Sequence, residues 1–82
     1  MWVYEDTDEQ WKEFIPGLQV MLEEDYCMGC DSSTWRGSKH DRRQHIVNFK
    51  TQPMTYTVKC GDTIKLNTVV ERRVMHGEYL CS

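Results

Sequence analysis

One stretch of this chain repeats with the period of a helix, and that limits what the rest can build. In "GLQVMLEEDY", Leu18, Met21, Leu22 and Tyr26 recur at i, i+3, i+4 and i+8, which aligns them on a single apolar face. Pro16 stands where the first turn would begin and Gly29 where the helix should stop, so about three turns are expected. Everything else alternates or is broken by turn residues. A single short helix must bury its stripe on strands, and with 82 residues there is room for one core. The expectation is one domain over 1–82, with a core over 2–74 and a C-terminal tail over 75–82.

The strands are read from alternation and punctuation. "MWVYEDTDEQWKEFI" places Trp2, Val3 and Tyr4 before a polar turn and Trp11 to Ile15 after it, the pattern of a hairpin. From Cys30 to Gln44 the text is polar, with Trp35 its one large apolar residue, and a long loop is expected. "HIVNFK" then sets His45, Val47 and Phe49 on one side of a strand and Ile46 and Asn48 on the other. After Pro53, "MTYTVKCGDTIKLNTVVERRV" reads as two or three more strands with Cys60, Gly61 and Asp62 as a turn. The fold class is therefore α+β, an antiparallel sheet of about five to six strands packed on one helix.

Charge is unevenly spread. Residues 1 to 31 carry nine acids and one base, Lys12, while residues 32 to 82 carry nine bases and four acids, so a basic face is expected beside an acidic one. Glu23, Glu24 and Asp25 sit in the last turns of the helix, where the macrodipole disfavours negative charge. A basic group is expected beside them. No apolar run approaches the roughly 18 residues of a membrane span, and "MWVYED" is not a signal sequence. Those features predict an intracellular chain, nuclear or cytoplasmic, with its cysteines as free thiols or metal ligands rather than disulfides.

Cys27, Cys30, His40 and His45 spell C-x2-C-x9-H-x4-H, close to a tetrahedral zinc spacing. The ligand types suit the metal, yet "DSSTWRGSK" lacks the apolar helix that carries the histidines in a zinc finger. The preferred reading is a helix end, a loop and a strand start, with no metal and no other cofactor. The loop "WRGSKHDRR" interleaves Trp35 with four bases, a weak nucleic-acid signature that Asp31 and Asp41 dilute. A solvated loop is preferred. No Cys has a nucleophile's local signature, and neighbouring Glu23 and Glu24 point apart on a helix. An enzyme is not expected.

The order of the pieces resembles a WWE domain, named for two tryptophans and a glutamate. The likeness rests on "WVYEDTDEQWKEF" with Trp2 and Trp11, on "LEEDY" with Glu23, on "HIVNF" in place of Tyr-x-Val-Asp-Phe, on Met54, and on the closing "ERRV". It implies a half-barrel of antiparallel strands wrapped on one helix. Trp2 and Trp11 would pack across the hairpin as core, and Glu23 would pair with Arg72 or Arg73.

Such domains occur in ubiquitin ligases and ADP-ribosyltransferases, and several bind iso-ADP-ribose units of poly(ADP-ribose). That ligand needs an aromatic or apolar slot for adenine and cations for two phosphates. The resemblance makes Tyr4, Trp11, His45, Tyr56, Lys65, Arg72 and Arg73 the candidates. His45 stands where the family's ADP-ribose readers place a Tyr, and Tyr56 where they place a Gln. Two classes stay open: a recognition module for an ADP-ribose-type nucleotide, and a scaffold that has lost the pocket and contacts protein partners in the same machinery.

Overall fold

The computed structural model describes residues 1–37 and 42–74. In chain order the elements are β1 (Trp2–Glu5), β2 (Trp11–Glu13), α1 (Pro16–Cys27), β3 (Ser32–Arg36), β4 (Gln44–Asn48), β5 (Thr55–Cys60) and β6 (Thr63–Arg72). The six strands form one antiparallel sheet in the order β2-β1-β6-β5-β4-β3. The architecture is α+β with one helix among the described residues, as the periodicity requires. No helix among the described residues is long and apolar enough to cross a membrane.

The sheet is strongly curved. β2 and β3 are its two edges, and in a flat sheet five spacings of about 4.8 Å would hold them roughly 24 Å apart. Instead the ring of Phe14, just past β2, lies 6.1 Å from that of Trp35 on β3. The helix packs against both β1 and β3, inside the resulting trough.

The helix follows its sequence signals. Pro16 occupies the first turn, where a missing N–H costs nothing. At the other end Met28 caps, Gly29 takes φ +81°, the Gly29 N–H donates to the Tyr26 carbonyl and the Cys30 N–H to the Asp25 carbonyl. That is a Schellman termination, which favours glycine at the left-handed position. Leu22 is wholly buried and packs in a core with Trp2, Phe14, Val47, Phe49, Tyr56, Val58 and Val70.

Gln19, which showed no signal in the sequence, ties the helix to the hairpin. Its side-chain oxygen accepts from the Trp2 N–H at 2.6 Å, and its amide donates to the carbonyls of Trp2 at 2.7 Å and Phe14 at 3.0 Å. One side chain thus satisfies three backbone groups where the strands start and stop.

Three expectations need correction. The segment from Cys30 to Gln44 is not one long loop, because Ser32–Arg36 pairs along its whole length with β4. Tertiary contacts make this strand: Ser33 is buried and its hydroxyl donates to Asp25 at 2.6 Å, which also settles one of the helix-end acids.

Trp11 is not core. It pairs with Glu5, and Val3 with Glu13, so alternation puts Trp11 on the Val3 face, opposite to Trp2 and Tyr4. It is 38% exposed, against 1% for Trp2. Finally, Cys30 and Cys60 are free thiols but Cys27 is disulfide-bonded, against the expectation of unpaired cysteines. Its sulfur is thereby withdrawn from the proposed zinc set. His40, a further member of that set, and the 75–82 tail lie outside the described residues.

Candidate functional site

The inner face of the trough has two ends. At the first, β1 and β6 bring Trp2 opposite Arg72, and the helix reaches over both. Glu23 accepts from the Trp2 indole at 3.0 Å, from Arg72 Nε at 3.0 Å and from Arg72 Nη2 at 2.7 Å. The Arg72 guanidinium also lies 4.9 Å over the Tyr26 ring. The hydrogen bonds Arg72 donates to Glu23 raise its pKa further above its already high value, against the lowering by burial. This forked contact is the basic partner that the acidic helix end demands. Arg72 is therefore engaged in holding helix to sheet.

At the second end the helix does not reach, and the strands leave a cavity of about 220 Å³ lined by Tyr4, Asp6, Thr7, Arg43, His45, Tyr56, Val58, Lys65 and Leu66. Four of the candidates, Tyr4, His45, Tyr56 and Lys65, meet here. Their convergence follows from register. Tyr4 pairs with Val70, Tyr56 with Thr68 and His45 with Val58, so each projects from the same face of its strand.

Lys65 arrives by a different route. Lys65 and Leu66 are consecutive and would point to opposite faces of a regular strand, yet both line the cavity. Val58 pairs with Leu66 and Lys59 with Ile64, which leaves Lys65 as the extra residue of a β-bulge. A bulge re-aims one side chain, and here the side chain is an ammonium turned toward an aromatic pocket.

The rings form a platform. Trp35, His45 and Tyr56 lie nearly parallel, with interplanar angles of 8°, 14° and 19° and centroids 5.4 to 6.0 Å apart. Tyr4 meets Tyr56 edge-on at 5.1 Å. His45 Nδ1 and the Tyr56 hydroxyl share a hydrogen bond of 2.7 Å. Burial, and then the nearby Asp6 carboxylate, raise the Tyr4 pKa, with Lys12 pulling the other way. At neutral pH the phenol keeps its proton and can donate to a ligand.

Asp6 itself is held below the usual carboxylate range, first by the Thr7 backbone N–H and also by Lys12. The cavity thus offers flat aromatic surface, hydroxyl donors, two cations and one acid at the rim.

Arg43, Asp6 and Thr7 were not among the expected site residues. Arg43 stands two residues before His45, the interval that keeps an extended chain's side chains on one face. That signal was present. Trp11, Arg72 and Arg73 are not part of this cavity. Arg73 lies 5.0 Å over the Trp11 ring on the outer face of the sheet and pairs with Glu71 at 3.3 Å.

Comparison with known proteins returned no match among curated proteins and none among solved structures. A family model does match, the WWE domain, over residues 1–74, a span that contains every strand, the helix and both ends of the trough. The buried tryptophan, the glutamate it donates to and the arginine that closes the pair therefore sit within a matched domain, and this chain belongs to the WWE domain family.

Proposed function

We propose that the open end of the trough binds an ADP-ribose-type nucleotide, with iso-ADP-ribose units of poly(ADP-ribose) as the leading ligand. As a WWE domain the chain is a non-catalytic module, so the reading concerns recognition alone. The observation that carries it is the convergence of Tyr4, His45, Tyr56 and Lys65, with Arg43, on one cavity.

Ligand clefts commonly span about 300–1,000 Å³, whereas this one measures about 220 Å³. It suits a base and its sugar, with the diphosphate at the mouth. Aromatic surface of this kind contributes ~1–3 kcal/mol per stacked base. Lys65 and Arg43 are exposed at the rim, where a charged hydrogen bond to phosphate contributes about 1.5–3 kcal/mol. A ligand that uses the Tyr56 hydroxyl must compete with its bond to His45. In a longer polypeptide such a module would direct a ubiquitination or ADP-ribosylation activity to modified proteins.

Calorimetric titration with iso-ADP-ribose and ADP-ribose tests this. The expected result is saturable binding that Lys65→Ala weakens about tenfold, the equivalent of ~1.4 kcal/mol. Absence of saturable heat with either nucleotide supports a scaffold that meets protein partners instead.

A further inference from the structure

A larger groove lies at the covered end, away from the nucleotide cavity. It measures about 600 Å³ and runs between the Met1–Trp2 and Glu13–Phe14 segments on one side and the Pro16, Gln19, Val20, Glu23 and Glu24 face of the helix on the other. Its interior is apolar and open: Met1 is 38% and Val20 59% exposed, although Val20 belongs to α1. Among the described residues its charged side chains are all acidic, Glu13, Glu23 and Glu24, and the Met1 ammonium at its edge is bonded to the Arg73 carbonyl at 2.6 Å.

Glu23 is engaged by Arg72. Glu13 and Glu24 are exposed and have no ion pair among the described residues. Glu24 stands in the second half of α1, whose last turn holds no basic residue, so its charge opposes the helix dipole. Beside the groove β2 is an edge strand of the sheet, with one side of its backbone unpaired by any other strand among the described residues.

We propose that this groove docks a basic, apolar peptide segment of a partner protein, seating one or two large aliphatic side chains against Val20 and Phe14 while flanking Lys or Arg residues pair with Glu13 and Glu24. An acidic partner is excluded by like charge and a purely polar one leaves the apolar floor wet. Charge complementarity at the rim governs partner choice, and the apolar centre supplies the affinity. The site is independent of the nucleotide cavity.

The test uses a fluorescein-labelled 12-residue peptide of alternating Leu and Lys pairs, with two controls: one with Glu for every Lys and one with Gly for every Leu. Anisotropy and amide shifts report binding and its location. The expected result is saturable binding of the Leu-Lys peptide with shifts at Val20, Glu24 and Glu13. Val20→Lys should weaken it about tenfold or more, and the double change Glu13→Gln, Glu24→Gln by a similar factor.

All three substituted positions are exposed, and an unchanged thermal midpoint confirms that the variants stay folded. Equal binding of either control peptide, shifts confined to other surfaces, or a Val20→Lys variant of undiminished affinity would overturn the proposal. So would sedimentation showing that the groove is filled by a second copy of the chain. Nucleotide binding read at Lys65 should persist in every variant, so failure here does not bear on the cavity.

Discussion

The two ends of the trough are built from the same strands and put similar residues to opposite uses. At the covered end Trp2 and Arg72 both donate to Glu23, and Leu22 and Val47 are wholly buried between helix and sheet. At the open end Tyr4, His45 and Tyr56 line a cavity under no helix, with Lys65 turned in by a bulge. A cation near an aromatic ring is present at both. Its role depends on what already accepts its hydrogen bonds. Arg72 has given three-way support to helix, strand and Tyr26, while Lys65 has no ion pair among the described residues and stands exposed at the mouth of the cavity.

The contrast breaks most visibly at Trp2. Trp2→Ala removes a wholly buried indole and leaves Glu23 one donor short, so a loss of about 3–5 kcal/mol is expected. In a domain this small that approaches the whole folding free energy. Thermal or urea unfolding measures it, and the same substitution at Trp11, 38% exposed, should cost far less. A comparable loss at both tryptophans would contradict the assignment of one to the core and one to the outer face.

Next in size is Arg72→Lys. The replacement keeps charge but loses the fork that meets both Glu23 oxygens. The pair is partly solvated, with side-chain exposures of 16% and 22%, so a loss of ~1–2 kcal/mol is expected rather than the 3–5 kcal/mol of a fully buried broken pair. Nucleotide affinity should change little once the variant is folded. If affinity collapses while stability is untouched, Arg72 belongs to the ligand site and the division between the two ends is wrong.

Lys65→Ala is the mirror of that experiment. Stability should stay within about 0.5 kcal/mol, since the side chain is exposed, and nucleotide affinity should fall about tenfold. Tyr56→Phe sharpens the same end: it deletes the bond to His45 at a stability cost of about 1 kcal/mol. If the Tyr56 hydroxyl reads the ligand, affinity falls with it.

The smallest effect is on pH dependence. The Asp6 pKa is lowered in the folded state, so its contribution is present above the unfolded value near pH 4 and is lost as pH falls through the folded value. Asp6→Asn should therefore make the stability profile slightly flatter on the acid side, measured by unfolding between about pH 2 and 5. Tyr4 acts at the other limb. Its pKa is raised, so its contribution holds below the unfolded value near pH 10 and is lost as pH rises through the folded one.

Much of the covered end was legible in the sequence. Helical period, Pro16, Gly29 and the alternation through Val47 and Phe49 are local signals, and they located the helix, β4 and the closing hairpin. The acidic helix end announced a basic partner because the dipole demands one, and Arg72 is that partner. What escaped was set by register. β3 has little intrinsic strand character in "SSTWR" and exists through pairing with β4 and the Ser33 bond to Asp25. Two indoles in a hairpin look alike until pairing says which face each takes, so the sequence points Trp11 to the core beside Trp2. The bulge that aims Lys65 is invisible in composition, since one skipped residue changes neither hydropathy nor propensity.

Amide chemical-shift mapping with iso-ADP-ribose separates the two ends of the trough in one titration. Saturable shifts are expected at Tyr4, Arg43, His45, Tyr56 and Lys65, with Trp2, Glu23 and Arg72 unmoved. Shifts centred on Arg72 and Trp11, or no saturable shift at the open end, would contradict that expectation.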